Sequence, residues 1–276
     1  MTAPLHAPTP GASDRLHARH CLSEGDREMA SGRSVQAVGT DSRPAKAVGD
    51  VAVLVLVRWR ADAGAWGLAR LPLQGWPLRA VPGLVMAKVL GSGRDGGFGL
   101  MPGLLHQGLF LVFDGEAAAM DFVDGSPLMT AYRAHAAECA TAVLRAASSR
   151  GSWSGAAMTV STDLPVHGPV AALTRASIRP ARAGAFWRHT PAAQSALAGA
   201  EGCHLAAGLG EAPVLRQATF SLWSSVAAMN AYARQGAHGQ AARASMGGGW
   251  FSESMFVRFA PLALAGHWKG CDLGAL

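Results

Sequence analysis

The second half of this chain replays its first half, element by element, and that repetition limits the possible folds more than any other feature. An apolar, β-branched stretch from Val51 to Trp59 predicts a strand, followed by a loop and a helical stretch. Strands over Leu84–Leu90 and Leu109–Phe113, a helical region over Glu116–Ala140 and a last strand near Ala142–Ala147 complete the first half. The same order returns as a strand over Ala172–Arg179, a helix over Phe186–Leu197 and strands over Cys203–Leu209 and Gln217–Trp223. A helix over Ser225–Ser245 and a strand over Ser254–Leu264 follow. Two local matches sit at corresponding places. Ala118-Ala119-Met120-Asp121 parallels Ala227-Ala228-Met229-Asn230, and Trp153-Ser154-Gly155 parallels Trp268-Lys269-Gly270.

Each half therefore reads βαββαβ, the ferredoxin-like unit, whose antiparallel sheet carries helices on one face only. The other face is apolar here and needs cover. Two such units packed sheet to sheet give the expected architecture: α+β, tandem ferredoxin-like repeats forming a dimeric-type α+β barrel. The expected organisation is an arm over 1–48, a first repeat over 49–160 and a second over 161–276. The arm is rich in Pro, Gly, Ser, Ala and charge without any period, which predicts disorder.

Composition narrows the function classes. No apolar run approaches the roughly 18 residues of a membrane-spanning helix, the longest being Val51–Val57, and no signal-peptide core is visible. The expected location is the cytoplasm, with peripheral contact at the inner membrane as an option. Residues 1–50 roughly balance their charges, so the folded part carries the positive excess. A solvated basic face, an acidic electron-donor protein and anionic lipid all fit that excess. Nucleic acid does not, because no basic run is interleaved with aromatics. Cys21, Cys139, Cys203 and Cys271 form no CxxC pair, which argues against a disulfide framework, a zinc site or an iron–sulfur cluster. No Ser-His-Asp order, HExxH helix or paired-carboxylate motif stands out. Gly91-Ser92-Gly93-Arg94-Asp95-Gly96 contains a GxGxxG string, but Phe98-Gly99-Leu100-Met101-Pro102 cannot open a helix over a pyrophosphate. The string predicts a hairpin loop instead.

His238 stands apart from the other nine histidines. It lies in Gly236-Ala237-His238-Gly239-Gln240-Ala241-Ala242-Arg243, where small neighbours let a flat macrocycle approach the backbone, and a helical imidazole is a common haem ligand. On an unbroken helix it would lie nearly opposite Met229, at about 100° per residue. Pointing inward requires a break near Gly236, and the first repeat has Gly125-Ser126-Pro127 at the matching place. Without the break it is a surface histidine. Trp187, Phe220, Trp223, Trp250 and Phe251 all fall in the second repeat, either as ordinary core or as the lining of a slot for a flat or polyene ligand.

From about residue 51 onward the chain resembles the spheroidene monooxygenase family of carotenoid biosynthesis. The resemblance is carried by Ala171-Ala172-Leu173-Thr174-Arg175-Ala176-Ser177-Ile178-Arg179-Pro180, Phe186-Trp187-Arg188 and Gly208-Leu209-Gly210-Glu211-Ala212-Pro213. Gln217-Ala218-Thr219-Phe220-Ser221-Leu222-Trp223, the His238 segment, Gly249-Trp250-Phe251 and Val257-Arg258-Phe259 add to it. It implies an O₂-dependent enzyme hydroxylating C2 of acyclic carotenoids twice, to a ketone, with reduced ferredoxin as electron donor and haem as cofactor. His238 matches the family's histidine in this segment, which makes it the expected iron ligand. Arg175 or Gln217 would donate a hydrogen bond to bound oxygen or a propionate. A haem-degrading or cofactor-free monooxygenase of the same barrel, or a non-catalytic haem or lipid carrier, remain alternatives, because fold does not fix function.

Overall fold

Eight antiparallel strands hydrogen-bond into a closed barrel in a computed structural model that describes residues 49–234 and 249–276. The expected arm at 1–48 and His238, within 235–248, lie outside the described residues. The first half runs β1 (Val51–Trp59), α1 (Gly64–Leu73), α2 (Gly75–Leu78), β2 (Leu84–Gly93), β3 (Pro102–Phe113), α3 (Glu116–Gly125), α4 (Pro127–His135) and β4 (Ala136–Gly151). The second runs β5 (Val170–Ile178), α5 (Ala183–Ala198), β6 (Cys203–Ala212), β7 (Arg216–Trp223), α6 (Val226–Arg234) and β8 (Phe251–Trp268), with the short β9 (Cys271–Asp272) paired to the end of β8. The pairing order is β4-β1-β3-β2-β6-β7-β5-β8, and β8 returns to β4 to close the ring. This is the expected α+β barrel of two ferredoxin-like repeats.

Strand β1 reads as an unbroken apolar run because both its faces are buried. Ala52, Leu54 and Leu56 point into the barrel, where they meet Phe110, Leu173, Phe220 and Phe259. Val51, Val53, Val55 and Val57 point outward and pack under helices with Leu109, Leu111, Phe122 and Met129.

The helical region expected over 116–140 is two helices followed by a strand. Gly125 ends α3, and the Ser126 hydroxyl caps α4 by accepting the Met129 N–H at 3.1 Å, with Pro127 in the first turn. The alanine-rich segment from Ala136 onward has helical propensity, yet it pairs with β1 along one edge and β8 along the other. Ladder bonds on both sides override propensity.

A pseudo-twofold axis relates the repeats. Gly91 of β2 pairs with its counterpart Gly210 of β6, and the Ala140–Gly266 pair of the β4–β8 seam mirrors Gly151–Met255. Gly151 and Gly266 take φ of 82° and 80°, and a Cβ on either would lie 2.0 Å from a carbonyl oxygen, of Ser254 and of Cys139 respectively. Each glycine turns the chain so that a tryptophan, Trp153 or Trp268, inserts into the interior cluster. The short Trp-x-Gly match is thus a pair of barrel plugs.

Gly151→Ala should cost about 2–4 kcal/mol, through a left-handed backbone and a clash with the seam. Gly155→Ala has the same φ of 80° but nothing within 4 Å, and should cost only about 1 kcal/mol. Urea unfolding of both variants checks the difference.

Candidate functional site

A sheet covered by helices fills the gap between layers with its outward side chains. The first repeat does this with Val53, Val55, Val57, Leu109 and Leu111, each 0–1% exposed. Strand registers give their counterparts in the second repeat as Ala172, Thr174, Ala176, Thr219 and Ser221. On β6, Gly208 stands where β2 has Val89. Every one of these substitutions removes side-chain volume. Ala172, Thr174 and Thr219 are only half-buried in spite of their central place in the sheet. On β8, Phe256 faces the same way and is 40% exposed. Arg258 beside it carries no ion pair among the described residues.

The result is a thinly filled outer face over β5 and β7, called the slot below, flanked by α5 packed on β6 and α6 packed on β7. One end is sealed by Val170, Leu197, Trp223 and Met229. Tyr232 of α6 tilts against Trp223 and donates to the Ala193 carbonyl of α5 at 3.3 Å. The glycine-rich hairpin of the first repeat forms a side wall. A Cβ on Gly208 would lie 2.4 Å from the Gly97 oxygen, and Phe98 packs into the sealing cluster. The GxGxxG string is therefore a hairpin tip, as expected, laid across the second repeat.

Aromatic residues line the other end. The Trp187 indole donates to the Val214 carbonyl at 2.9 Å, Phe186 meets Trp187 and Phe251 edge-on at 5.3 and 6.1 Å, and the His189 ring lies 5.5 Å from Trp250. Of the five aromatics expected to bind substrate, Trp187, Trp250 and Phe251 come together here. Trp223 belongs to the sealed end, and Phe220 lies inside the barrel, on the opposite face of β7.

The two expected donors are also separated by the sheet. Gln217 is on the slot face, paired with Ala176 and Gly210, and its amide donates to the Ala212 carbonyl at 3.4 Å. Arg175 points into the barrel and is 2% exposed. Its guanidinium bridges Glu211, at 3.1 Å, and Glu253. Glu211 also pairs with Lys88 at 3.3 Å and accepts the Trp153 indole N–H at 2.9 Å. Glu253 accepts from the Gly155 amide and the Ser152 hydroxyl at 2.9 and 3.0 Å. Arg175 and Lys88 both lie 5.4 Å from the Trp153 ring. This network pins the Trp153 plug, and its sequence signal was the Trp-x-Gly match alone.

Burial would raise both carboxyls, but the donors outweigh it. The Gly155 and Ser154 amides, Arg175 and Ser152 hold Glu253 down at about 2. The Trp153 indole, Lys88 and Arg175 hold Glu211 below the usual carboxylate range.

No group of three or more His, Cys, Asp or Glu among the described residues could hold a metal ion. Burial pushes the Cys139 and Cys203 thiols up to about 11, so neither supplies a thiolate near neutral pH. Burial lowers the basicity of His106, which meets Trp268 edge-on, His135 stacks on Trp66, and His267 is exposed beside Asp272.

The depressed Glu253 contributes stability that is fully present above its unfolded value of 4.5 and is lost as pH falls towards about 2. Glu253→Gln should lower stability at pH 7 and flatten the loss of stability between about pH 4.5 and 2. Urea titrations at stepped pH read both effects.

No family model matches the chain. Spheroidene monooxygenase of Rubrivivax gelatinosus is 49% identical over 254 residues, covering 92% of this chain and 98% of that protein. The spheroidene monooxygenase of Rhodobacter capsulatus is 37% identical over 231 residues, covering 80% and 94%. Among solved structures, an aldoxime dehydratase in complex with butyraldoxime superposes with a TM-score of 0.53 at 8% identity, covering 79% of this chain and 81% of that one. A second aldoxime dehydratase gives 0.50 at 10%, covering 78% and 82%. At these identities the structural likeness shows the barrel fold alone. The curated relatives go further, and on their identity and coverage this chain belongs to the spheroidene monooxygenase family.

Proposed function

We propose that the chain is a haem-dependent monooxygenase that hydroxylates C2 of acyclic carotenoids such as spheroidene, twice, to give a 2-keto product. The observation that carries this reading is the emptied face of the second repeat. A flat macrocycle needs a broad floor without bulky side chains, and Ala172, Thr174, Ala176 and Thr219 form one where the first repeat is filled. Haem fits the donors around that floor as well. Arg258, which has no ion pair among the described residues, would offer a cation to a propionate, Gln217 would offer an amide, and His238, four residues after α6 in the sequence, is the proposed iron ligand. Haem bound there supplies O₂ activation, chemistry that the described side chains do not provide themselves.

The chain's own residues then have defined tasks. Trp187, Trp250 and Phe251 give an apolar, aromatic end at which a polyene terminus can lie flat. The sealed end around Trp223 and the hairpin wall at Gly97–Phe98 exclude water. Gln217 remains the hydrogen-bond donor on the slot face. Arg175, on the other face of β5, is a positioning residue that holds the barrel mouth beneath it. Each hydroxylation consumes one O₂, two electrons and two protons and releases one water. The second hydroxylation on the same carbon gives a geminal diol, which loses water to the ketone. Reduced ferredoxin is the proposed electron donor, and the excess positive charge of the folded part suits an acidic protein partner.

Pigments extracted from cells that make acyclic carotenoids should shift to the keto product when this chain is expressed. His238→Ala should abolish the shift at equal protein level. Unchanged pigment with folded, haem-loaded wild-type protein would overturn the substrate assignment. Full conversion by His238→Ala would overturn the ligand assignment.

A further inference from the structure

The outer surface of α1 and α2 has the polarity of a helix turned inside out. Its inward residues include Gly64, Gly67, Leu78 and the polar Gln74, which is 0% exposed. Its outward residues are large and apolar: Leu68 at 39% exposure, Leu71 at 36%, Leu73 at 58% and Trp76 at 81%. Between 65 and 82 the exposed positions are all apolar except Arg79. A helix facing water carries charge on its outer side, and a patch this apolar on a soluble surface marks an interaction site.

The occupant follows from charge. From Ala63 to Val81, through α1 and α2, the chain contains no Asp or Glu, while Arg70 and Arg79 fall within that span. Arg79 has no ion pair among the described residues, and Arg70 folds back over the Trp66 ring at 4.7 Å. Apolar side chains with a largely exposed indole, an adjacent guanidinium and no carboxylate within the two helices match the headgroup layer of an anionic bilayer. The indole and the leucines enter the acyl boundary, and the guanidinium meets lipid phosphate. Among the described residues no helix is long and apolar enough to cross a membrane, so contact through α1 and α2 lies in the plane of the surface.

We propose that the α1–α2 face, centred on Leu73 and Trp76 and flanked by Arg79, docks the protein on anionic lipid surfaces. The inference stands on the patch itself and is independent of the reaction assigned to the slot.

Sedimentation of the full-length protein with vesicles of phosphatidylcholine, with and without phosphatidylglycerol, tests it. The wild type should bind the mixed vesicles. Leu73→Ser/Trp76→Ser should weaken that binding about tenfold or more, with an unchanged melting temperature because both side chains lie outside the core. Arg79→Glu should weaken binding to the mixed vesicles and leave pure phosphatidylcholine unaffected. Absence of wild-type binding, or equal binding by the double-serine variant, overturns the proposal. Self-association of the wild type that is lost in the same variant also overturns it, because the face would then join two copies of the chain. Pigment conversion is scored separately, so failure at the vesicle leaves the slot's chemistry untouched.

Discussion

Close packing between a sheet and its helices is the constraint on which the rest of this structure depends. The two repeats share backbone, register and plug, so the helices over each stand on equivalent strands. Where outward side chains are valine and leucine, the layers are filled. Where they are alanine and threonine, the same scaffold is less filled, while the hairpin at Gly97–Phe98 takes the space over Gly208. The two repeats thus differ in volume on one face without any difference of fold. The barrel interior, by contrast, is filled in both halves, from Leu54 and Phe110 to Leu173 and Phe220, which is why the proposed ligand place is between sheet and helices.

The charged cluster at one barrel end supports that division. A guanidinium that is 2% exposed is costly unless it is paired, and Arg175 is paired twice. Its two carboxylates also hold the Ser152–Gly155 turn, so the network fixes the plug, the start of β8 and the end of β6 together. Trp250 precedes β8 and Phe251 opens it, two residues before Glu253. The aromatic end of the slot is therefore anchored through the strand from the opposite face.

Much of the fold was legible because hydrophobic period and repetition report it directly. The unbroken apolar run of β1, the βαββαβ order and the Ser126-Pro127 break are all visible in the sequence itself. The start of β4, Ala136–Ala140, was not legible as strand, because alanine favours helix and only distant partners in β1 and β8 make it sheet. For the site, three of the five aromatics singled out in the sequence, Trp187, Trp250 and Phe251, lie near one another. The aromatic signal could not separate Phe220 and Trp223, since face assignment depends on register and on which helix covers which end. Arg175 and Gln217 looked like two donors for one ligand, yet an odd–even difference across paired strands puts them on opposite faces. The missed residues, Thr174, Thr219 and Arg258, carry no motif. Their signal is comparative: setting the repeats strand against strand shows Val55 become Thr174 and Leu109 become Thr219.

The central claim is that the cofactor's place is this vacated face. It is tested most directly by the absorption spectrum of purified protein reconstituted with haem, for the wild type and for a variant that restores first-repeat volume, Ala172→Val/Thr174→Val/Thr219→Leu. The account predicts a Soret band in the wild type and its loss in the filled variant, with a melting temperature equal or higher. A filled variant that binds haem as the wild type does would contradict it.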